Sequence, residues 1–156
     1  MRTPLLLAAA LCACEREPCD GAERDDSRNA PWVNDFYVLD QQVPGDPWSV
    51  LVGVEFEDAD GDLAAGWIKF MLNSNDEPVE QELAGVFRQS GLAADATAGA
   101  FWTNIRFADT LRDNTRAKLG MQVVDGAGNH SNCYTLDLRF DVTLVARAVR
   151  CEKRQT

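Results

Sequence analysis

Residues 49–57 read SVLVGVEFE, and this stretch decides the fold. Its apolar side chains recur at every second position, from Val50 to Phe56. A period of two residues places successive side chains on opposite faces of a β-strand, so that one face is buried and the other is exposed. The stretch therefore predicts a half-buried strand.

The same alternation recurs along the chain on both sides of this strand. Polar or glycine-rich segments separate the runs, and connections this short favour antiparallel neighbours, because a parallel crossover needs a dozen or more residues. Such spacing, without long helical periodicity, predicts an all-β fold: one antiparallel sandwich of about seven strands. The predicted strands are Trp32–Leu39, 49–57, Gly66–Leu72 (with Trp67 in the core), Ala100–Phe107, Lys118–Val124 and Tyr134–Leu144, while Val79–Phe87 is either an edge strand or a short helix.

The charge balance limits the partners. The 156 residues fit one domain plus a leader, and they carry 25 acidic against 15 basic side chains, a net charge of -10. Such a surface repels phosphate backbones, so nucleic acid is excluded as a partner, whereas divalent cations and basic partners suit the charge.

The N-terminus predicts export and lipidation. Arg2 precedes the apolar stretch Leu5–Leu11, which is too short to span a membrane and is typical of a signal peptide. The segment Leu11-Cys-Ala-Cys14 resembles the lipobox of bacterial lipoproteins, which implies cleavage after residue 13 and diacylglycerol on Cys14. By the same resemblance, Glu15 favours the outer membrane of the cell envelope. The alternative is an ordinary secretory signal that is cleaved near Ala13.

The composition divides the remaining chain into three parts. Residues 14–30 are charged and nearly devoid of apolar side chains, which predicts a flexible tether between the lipid and the domain. Residues 31–146 form the predicted sandwich, and residues 147–156 form a basic tail.

Three cysteines remain if Cys14 is lipidated, and export favours one disulfide among them. The last strand separates Cys133 from Cys151 by about 36 Å. Because bonded cysteines have Cα atoms within about 7 Å, that pair would need the tail to fold back. Cys19 can reach either one, and we favour Cys19–Cys133. If Cys14 is not lipidated, four cysteines allow two disulfides.

Two stretches resemble signatures of bacterial immunoglobulin-like and cadherin-like or PKD-like modules. They are VGVEFEDADGDL at 52–63 and MQVVDGAGNHSN at 121–132. In those modules the first precedes strand C, and the second joins strands F and G. The resemblance covers about Trp32 to Val145 and implies an immunoglobulin-like sandwich.

In such a sandwich the B–C and F–G loops lie at one end, which predicts a cluster of oxygen ligands. Carboxylates on glycine-rich loops suit Ca²⁺, and comparable aspartates bind calcium in related cadherin-like modules. The alternative is turn chemistry alone, in which these side chains bond to their own backbone. The candidate calcium ligands are Asp58, Asp60, Asp62, Asp125 and Asn129.

Two tryptophans are candidates for binding a partner. The alternation places Trp102 opposite the buried face of its strand, where it could stack on a sugar or anchor a protein. Trp32 flanks the first strand and joins it as a candidate. The alternative is that a loop or the segment Val79–Phe87 covers Trp102.

The sequence favours a non-enzymatic protein. His130 is the only histidine, and its neighbour Ser131 does not by itself make a catalytic triad. A hydrolase with acidic residues is a third hypothesis, although nothing selects a pair of carboxylates. The leading hypothesis is a structural or adhesive binding module, anchored to the bilayer through Cys14 and stabilised by calcium, that binds a protein or glycan. The main alternative is a carbohydrate-binding module that uses exposed tryptophans.

Overall fold

A computed structural model describes residues 17–42, 49–72, 78–106 and 116–139. Within these ranges the chain forms seven strands, a 3₁₀ turn at Leu63–Ala65 and one short α-helix. The elements are β1 (Trp32–Gln42), β2 (Ser49–Glu57), β3 (Trp67–Leu72), β4 (Val79–Glu82), α1 (Leu83–Gln89), β5 (Ala98–Arg106), β6 (Arg116–Val124) and β7 (Tyr134–Arg139).

The strands form two sheets that enclose one core. The three-stranded sheet has the order β1-β2-β5, and the four-stranded sheet has the order β4-β3-β6-β7. Every neighbouring pair is antiparallel. The prediction of an all-β, antiparallel sandwich is therefore confirmed.

The strand bounds follow the alternation closely. β2 spans the predicted residues, and its inward side chains Val52, Val54 and Phe56 are at most 1% exposed. The other strands differ from the prediction by up to three residues at an end, as where β1 continues to Gln42. Outside the described residues lie Phe107, the last predicted strand beyond Arg139 and the predicted basic tail.

The ambiguous segment Val79–Phe87 contains both predicted structures. Strand β4 ends at Glu82, and α1 begins at Leu83. Leu83, Val86 and Phe87 are all buried, and their i, i+3, i+4 spacing places them on one face of a helix. The ring centroid of Phe87 lies 5.3 Å from that of Phe56, so α1 packs into the core.

The prediction that Trp67 belongs to the core is wrong. Ile68 and Phe70 occupy the inward positions of β3, and Trp67 is only half-buried on the opposite face. Its indole N–H is buried and has no hydrogen-bond partner among the described residues.

Residues 17–31, here called the N-terminal strap, lie against the four-stranded sheet. A disulfide joins Cys19 to Cys133, with 5.7 Å between their Cα atoms. Pro18 covers Gly120 so closely that a Cβ atom there would lie 2.6 Å from the Cβ of Pro18. The side chain of Gln122 donates to the carbonyl of Glu23 at 3.2 Å.

The strap corrects the prediction of a flexible tether. Its described residues, from Glu17 onward, belong to the folded domain, while residues 14–16 lie outside the described part of the chain. The disulfide that holds the strap is the pair favoured from the sequence. Within the described ranges, no helix has the length and apolar character that crossing a bilayer requires.

Candidate functional site

Two strands, one from each sheet, end at the same pole of the sandwich. Asp58 follows the last residue of β2, and Asp125 follows the last residue of β6. The loops that leave these strands touch, because the backbone N–H of Gly126 donates to the carbonyl of Asp62 at 3.2 Å. We call this end the aspartate pole; it consists of Asp58, Asp60, Asp62 and Asp125.

The carboxylates of the aspartate pole converge. One oxygen from each of the four residues lies within 4.8 Å of the corresponding oxygens of the others. Ligands on opposite sides of one calcium ion are about 4.6–5.2 Å apart, since each Ca–O distance is about 2.3–2.6 Å. The arrangement is therefore compatible with a single ion of this size.

Burial leaves two of these oxygens without partners. Asp58 is 2% exposed and Asp125 is fully buried. Asp58 accepts the backbone N–H of Leu63 through Oδ2 at 2.9 Å. Among the described residues, its buried Oδ1 has no hydrogen-bond partner, and neither does the buried Oδ1 of Asp62. A buried carboxylate oxygen without a hydrogen-bond donor costs free energy of folding. A proton or a cation bound at these two atoms would remove that cost.

The electrostatics of the pole favour neutralisation. Burial raises the pKa of Asp58 to about 6; the N–H of Leu63 opposes this shift, and the charges of Asp60 and Asp62 add to it. Burial also raises the pKa of Asp62, with further contributions from Asp125 and Asp60. Carboxylates whose charges disfavour one another in this way are stabilised when a cation lies between them.

Turn chemistry explains part of the pole. Gly61 has φ +69°, and a Cβ there would lie 2.6 Å from the carbonyl oxygen of Asp95, so only glycine fits the bend. The bond from Leu63 to Asp58 is a local side-chain contact of the kind that turns use. The unpartnered oxygens of Asp58 and Asp62 are not explained by such turns.

The position of Asn129 differs from the role of ligand predicted for it. Its backbone N–H donates to Oδ1 of Asp125, and its side-chain amide donates to Oδ2, both at 2.7 Å. In the structure Asn129 therefore orients the carboxylate of Asp125, and the sequence prediction has the right neighbourhood but a different contact.

The sequence analysis did not identify Asp25, a residue of the strap that contacts the loop after β6. Asp25 Oδ2 accepts the backbone N–H of His130 at 2.6 Å and lies 3.1 Å from its ring Nδ1. The bond from the His130 backbone is the main cause of the lowered pKa of Asp25. Ser131, next in the chain, is fully buried, and its hydroxyl donates to the carbonyl of Asn132. In the sequence Asp25 is one acid in a polar run, so no pattern marked it.

The two candidate tryptophans are exposed but separate. Trp102 is 43% exposed and Trp32 is 45% exposed, so the segment Val79–Phe87 does not cover Trp102. Across the sheet, Trp102 lies opposite Gly53 and Trp32 opposite Glu57. The two positions are four residues, or about 13 Å, apart along β2 and lie on opposite sides of that strand, on β1 and on β5. The Arg24 guanidinium lies 5.4 Å from the ring centroid of Trp32 and partly occupies its face.

Comparison with protein-family models finds no match, and no curated protein matches the chain. The class of protein is therefore defined by the fold: an antiparallel β-sandwich with a cluster of aspartates at one pole and exposed aromatic side chains on one sheet.

Proposed function

We propose that the chain is a lipid-anchored binding module of the bacterial cell envelope, an immunoglobulin-like sandwich that Ca²⁺ stabilises at the aspartate pole. The observation that carries this proposal is the convergence of four carboxylates, two of which keep a buried oxygen that has no hydrogen-bond partner in the described part of the chain. The sheet orders, β1-β2-β5 and β4-β3-β6-β7, support the immunoglobulin-like assignment.

Calcium fits the chemistry of the pole. It takes six to eight oxygen ligands, and carboxylates, backbone carbonyls and waters all serve. Asp58, Asp60, Asp62 and Asp125 would supply the charge, and a bound ion would join the loops after β2 and β6. An ion that binds only the folded state stabilises it in proportion to the logarithm of its concentration above the Kd.

The position of the strap supports a defined orientation of the domain relative to the membrane. Cys14 lies three residues before Glu17, so at most about 11 Å of extended chain separates the lipidated residue from the folded domain. Glu17 forms an ion pair with Lys118. Lys118 is six residues before Val124, or about 20 Å along β6. The anchor would therefore enter the domain far from the aspartate pole and leave the pole facing away from the bilayer.

Thermal unfolding tests the calcium proposal. We expect saturating Ca²⁺ to raise the Tm of the full chain above its value in EGTA by about 5 °C or more. Asp60→Asn should remove most of this shift. Asp137→Asn, which neutralises an exposed carboxylate on β7, is the matched control and should keep it. An equal Tm in calcium and in EGTA would reject calcium as a ligand.

Fatty-acid labelling tests the anchor separately. Cells that express the wild-type chain should incorporate labelled palmitate into it, and Cys14→Ser should abolish the label. A wild-type protein without label, with its N-terminus near residue 14, would instead support ordinary secretion.

The exposure of Trp102 favours carbohydrate binding as a second candidate function. Aromatic side chains on an open sheet can stack on sugar rings. Retention on immobilised glycans that Trp102→Ala abolishes would support it, whereas equal retention of the variant would reject this site.

A further inference from the structure

The outer face of the three-stranded sheet carries a row of aromatic side chains. The register places Tyr37 opposite Gly53 on one side and Trp102 opposite Gly53 on the other, so the three residues lie in line across the sheet. Phe36 and Phe101 next to them point into the core, which leaves Tyr37 and Trp102 on the outer face. We call Tyr37, Gly53 and Trp102 the aromatic row.

Gly53 makes the row possible. A Cβ at this position would lie 2.5 Å from the ring of Tyr37, so the Tyr37 ring lies directly over the glycine. The strand that separates the two aromatic residues thus contributes no side chain, and the phenol ring extends across it toward Trp102. The backbone of β5, the edge strand that carries Trp102, is also held in place, because the N–H of Trp102 donates to the hydroxyl of Ser90 at 3.1 Å.

Carboxylates flank the aromatic row. Two residues along the strands from the aromatic row, Asp35 on β1 lies opposite Glu55 on β2. Glu55 in turn lies opposite Ala100 on β5. A diagonal neighbour such as Glu55 is about 7–8 Å from Trp102, within reach of long side chains. Burial is the largest cause of the raised pKa of Tyr37. The charges of Glu55 and Asp35 raise this pKa further, so both carboxylates act at the Tyr37 hydroxyl.

Basic side chains are scarce on this face. Within the described strands β1, β2 and β5, Arg106 is the only lysine or arginine, and it lies four residues beyond Trp102 at the end of β5. Four residues of strand correspond to about 13 Å. Among the strand residues, the surroundings of the aromatic row are therefore aromatic and negative. Arg24 of the strap lies over Trp32, which pairs with Glu57 four residues along β2 from Gly53.

We propose that the aromatic row, with Asp35 and Glu55, binds a lysine or arginine side chain of a basic peptide segment. An aromatic face attracts a cation through its quadrupole, and a carboxylate beside it adds a direct ion pair. The net charge of -10 attracts basic chains to the protein and raises their association rate. A neutral sugar could stack on the same rings, but it would leave both carboxylates uncompensated. This inference rests on the proposed function as a binding module and names the class of its partner.

Fluorescence anisotropy with a defined peptide tests the inference. The full lipidated chain is placed in phosphatidylcholine nanodiscs and titrated against a labelled Lys-Gly-Lys-Gly-Lys peptide. We expect saturable binding that weakens as salt rises, because exposed charges are screened within about 10 Å at 0.1 M salt. The same peptide with acetylated lysines should not bind.

Single substitutions locate the site. Trp102→Ala and Glu55→Gln should each weaken binding about tenfold, the upper range of a cation–aromatic contact or an ion pair. Trp102→Phe should recover part of the loss, since a smaller aromatic face remains. The matched controls are Val79→Ala, an exposed apolar residue on β4, and Glu82→Gln on the same strand of the other sheet, and both should bind like the wild type.

Several outcomes would overturn the inference. Equal binding by the acetylated peptide, or equal losses in the controls and in Trp102→Ala, would remove the site. Binding of cellohexaose that is lost in Trp102→Ala and insensitive to salt would assign the row to a glycan instead. Self-association that Trp102→Ala abolishes would assign it to a second copy of the chain. Asp60→Asn separates the two proposals, because it should remove most of the calcium stabilisation and leave peptide binding unchanged.

Discussion

The carboxylate of Asp25 accepts the backbone N–H of His130 at 2.6 Å, so the N-terminal strap closes onto the hairpin that follows Asp125. A return bond runs from the backbone N–H of Asp25 to the carbonyl of His130 at 3.1 Å. The strap therefore stabilises one of the two loops that build the aspartate pole, which links the N-terminal segment to the candidate calcium site.

Removal of this contact should loosen the pole. We expect Asp25→Ala to lower the Tm and to weaken calcium binding by a factor of a few, because the His130 backbone N–H loses its carboxylate acceptor while only the backbone bond from residue 25 remains. The lowered pKa of Asp25 means that its contribution is present above the unfolded value near pH 4 and is lost as the pH falls below it. Calorimetric titration with calcium is the measurement. Asp26→Ala, the exposed neighbour, is the control, and equal affinity in both variants would contradict the link.

The disulfide should dominate the stability of the strap. It closes a sequence separation of 114 residues, and loss of such a crosslink costs about 3–5 kcal/mol of unfolding free energy. The double variant Cys19→Ser, Cys133→Ser should show this loss in urea, together with faster tryptic cleavage at Arg24 and Arg28. Cys151→Ser should match the wild type in both assays. A double variant as stable and as resistant to trypsin as the wild type would show that the crosslink does not hold the strap.

Gly61 should be irreplaceable in the loop of the aspartate pole. Its φ of +69° and the close carbonyl of Asp95 mean that Gly61→Ala adds backbone strain and a steric clash. We expect a loss of about 2 kcal/mol or more in denaturant unfolding. A Cβ added at Gly85 in α1 would meet no atom within 4 Å among the described residues beyond its chain neighbours and the backbone of its own helix, so Gly85→Ala should instead stabilise by about 0.5–1 kcal/mol. Equal effects of the two substitutions would contradict the geometry of the loop.

Stability without calcium should fall as the pH rises. The folded-state pKa of Asp58, about 6, lies above the unfolded value, so stability from its neutral form is fully present below about pH 4 and is lost as the pH rises through 6. In EGTA this loss should be on the order of 1 kcal/mol between pH 5 and pH 7, and Asp58→Asn should remove it. Saturating calcium should reverse the trend in the wild type, because the ion binds the ionised carboxylates. An identical pH profile for wild type and variant in EGTA would show that Asp58 does not titrate in this range.

The alternation in the sequence predicts the sandwich, because a strand that buries one face needs an apolar side chain at every second position. The run at 49–57 gave the bounds of β2, and the placement of the loops after β2 and β6 at one end brought Asp58 and Asp125 together. The bounds of β2 follow from the two-residue period of the strand, whereas the shared end of the two loops was implied by the resemblance to immunoglobulin-like modules, in which the B–C and F–G loops lie together.

The strap could not be predicted in the same way. Its described contacts are one disulfide, the covering of Gly120 by Pro18, the ion pair of Glu17 and single hydrogen bonds such as those of Glu23 and Asp25, and none of these leaves a periodic pattern in the sequence. Trp67 was misplaced for a different reason: on β3 the inward positions belong to Ile68 and Phe70, and an apolar residue beside them need not be in the core. Tyr37 was not among the sequence candidates, because its position in the aromatic row depends on its cross-strand neighbours.

Calorimetric titration of the full chain with Ca²⁺ at pH 7 tests the central claim most directly. The account predicts one ion per chain, with binding abolished by Asp125→Asn and preserved in Asp137→Asn. Absence of binding to the wild type, or an affinity that Asp125→Asn leaves unchanged, would contradict it.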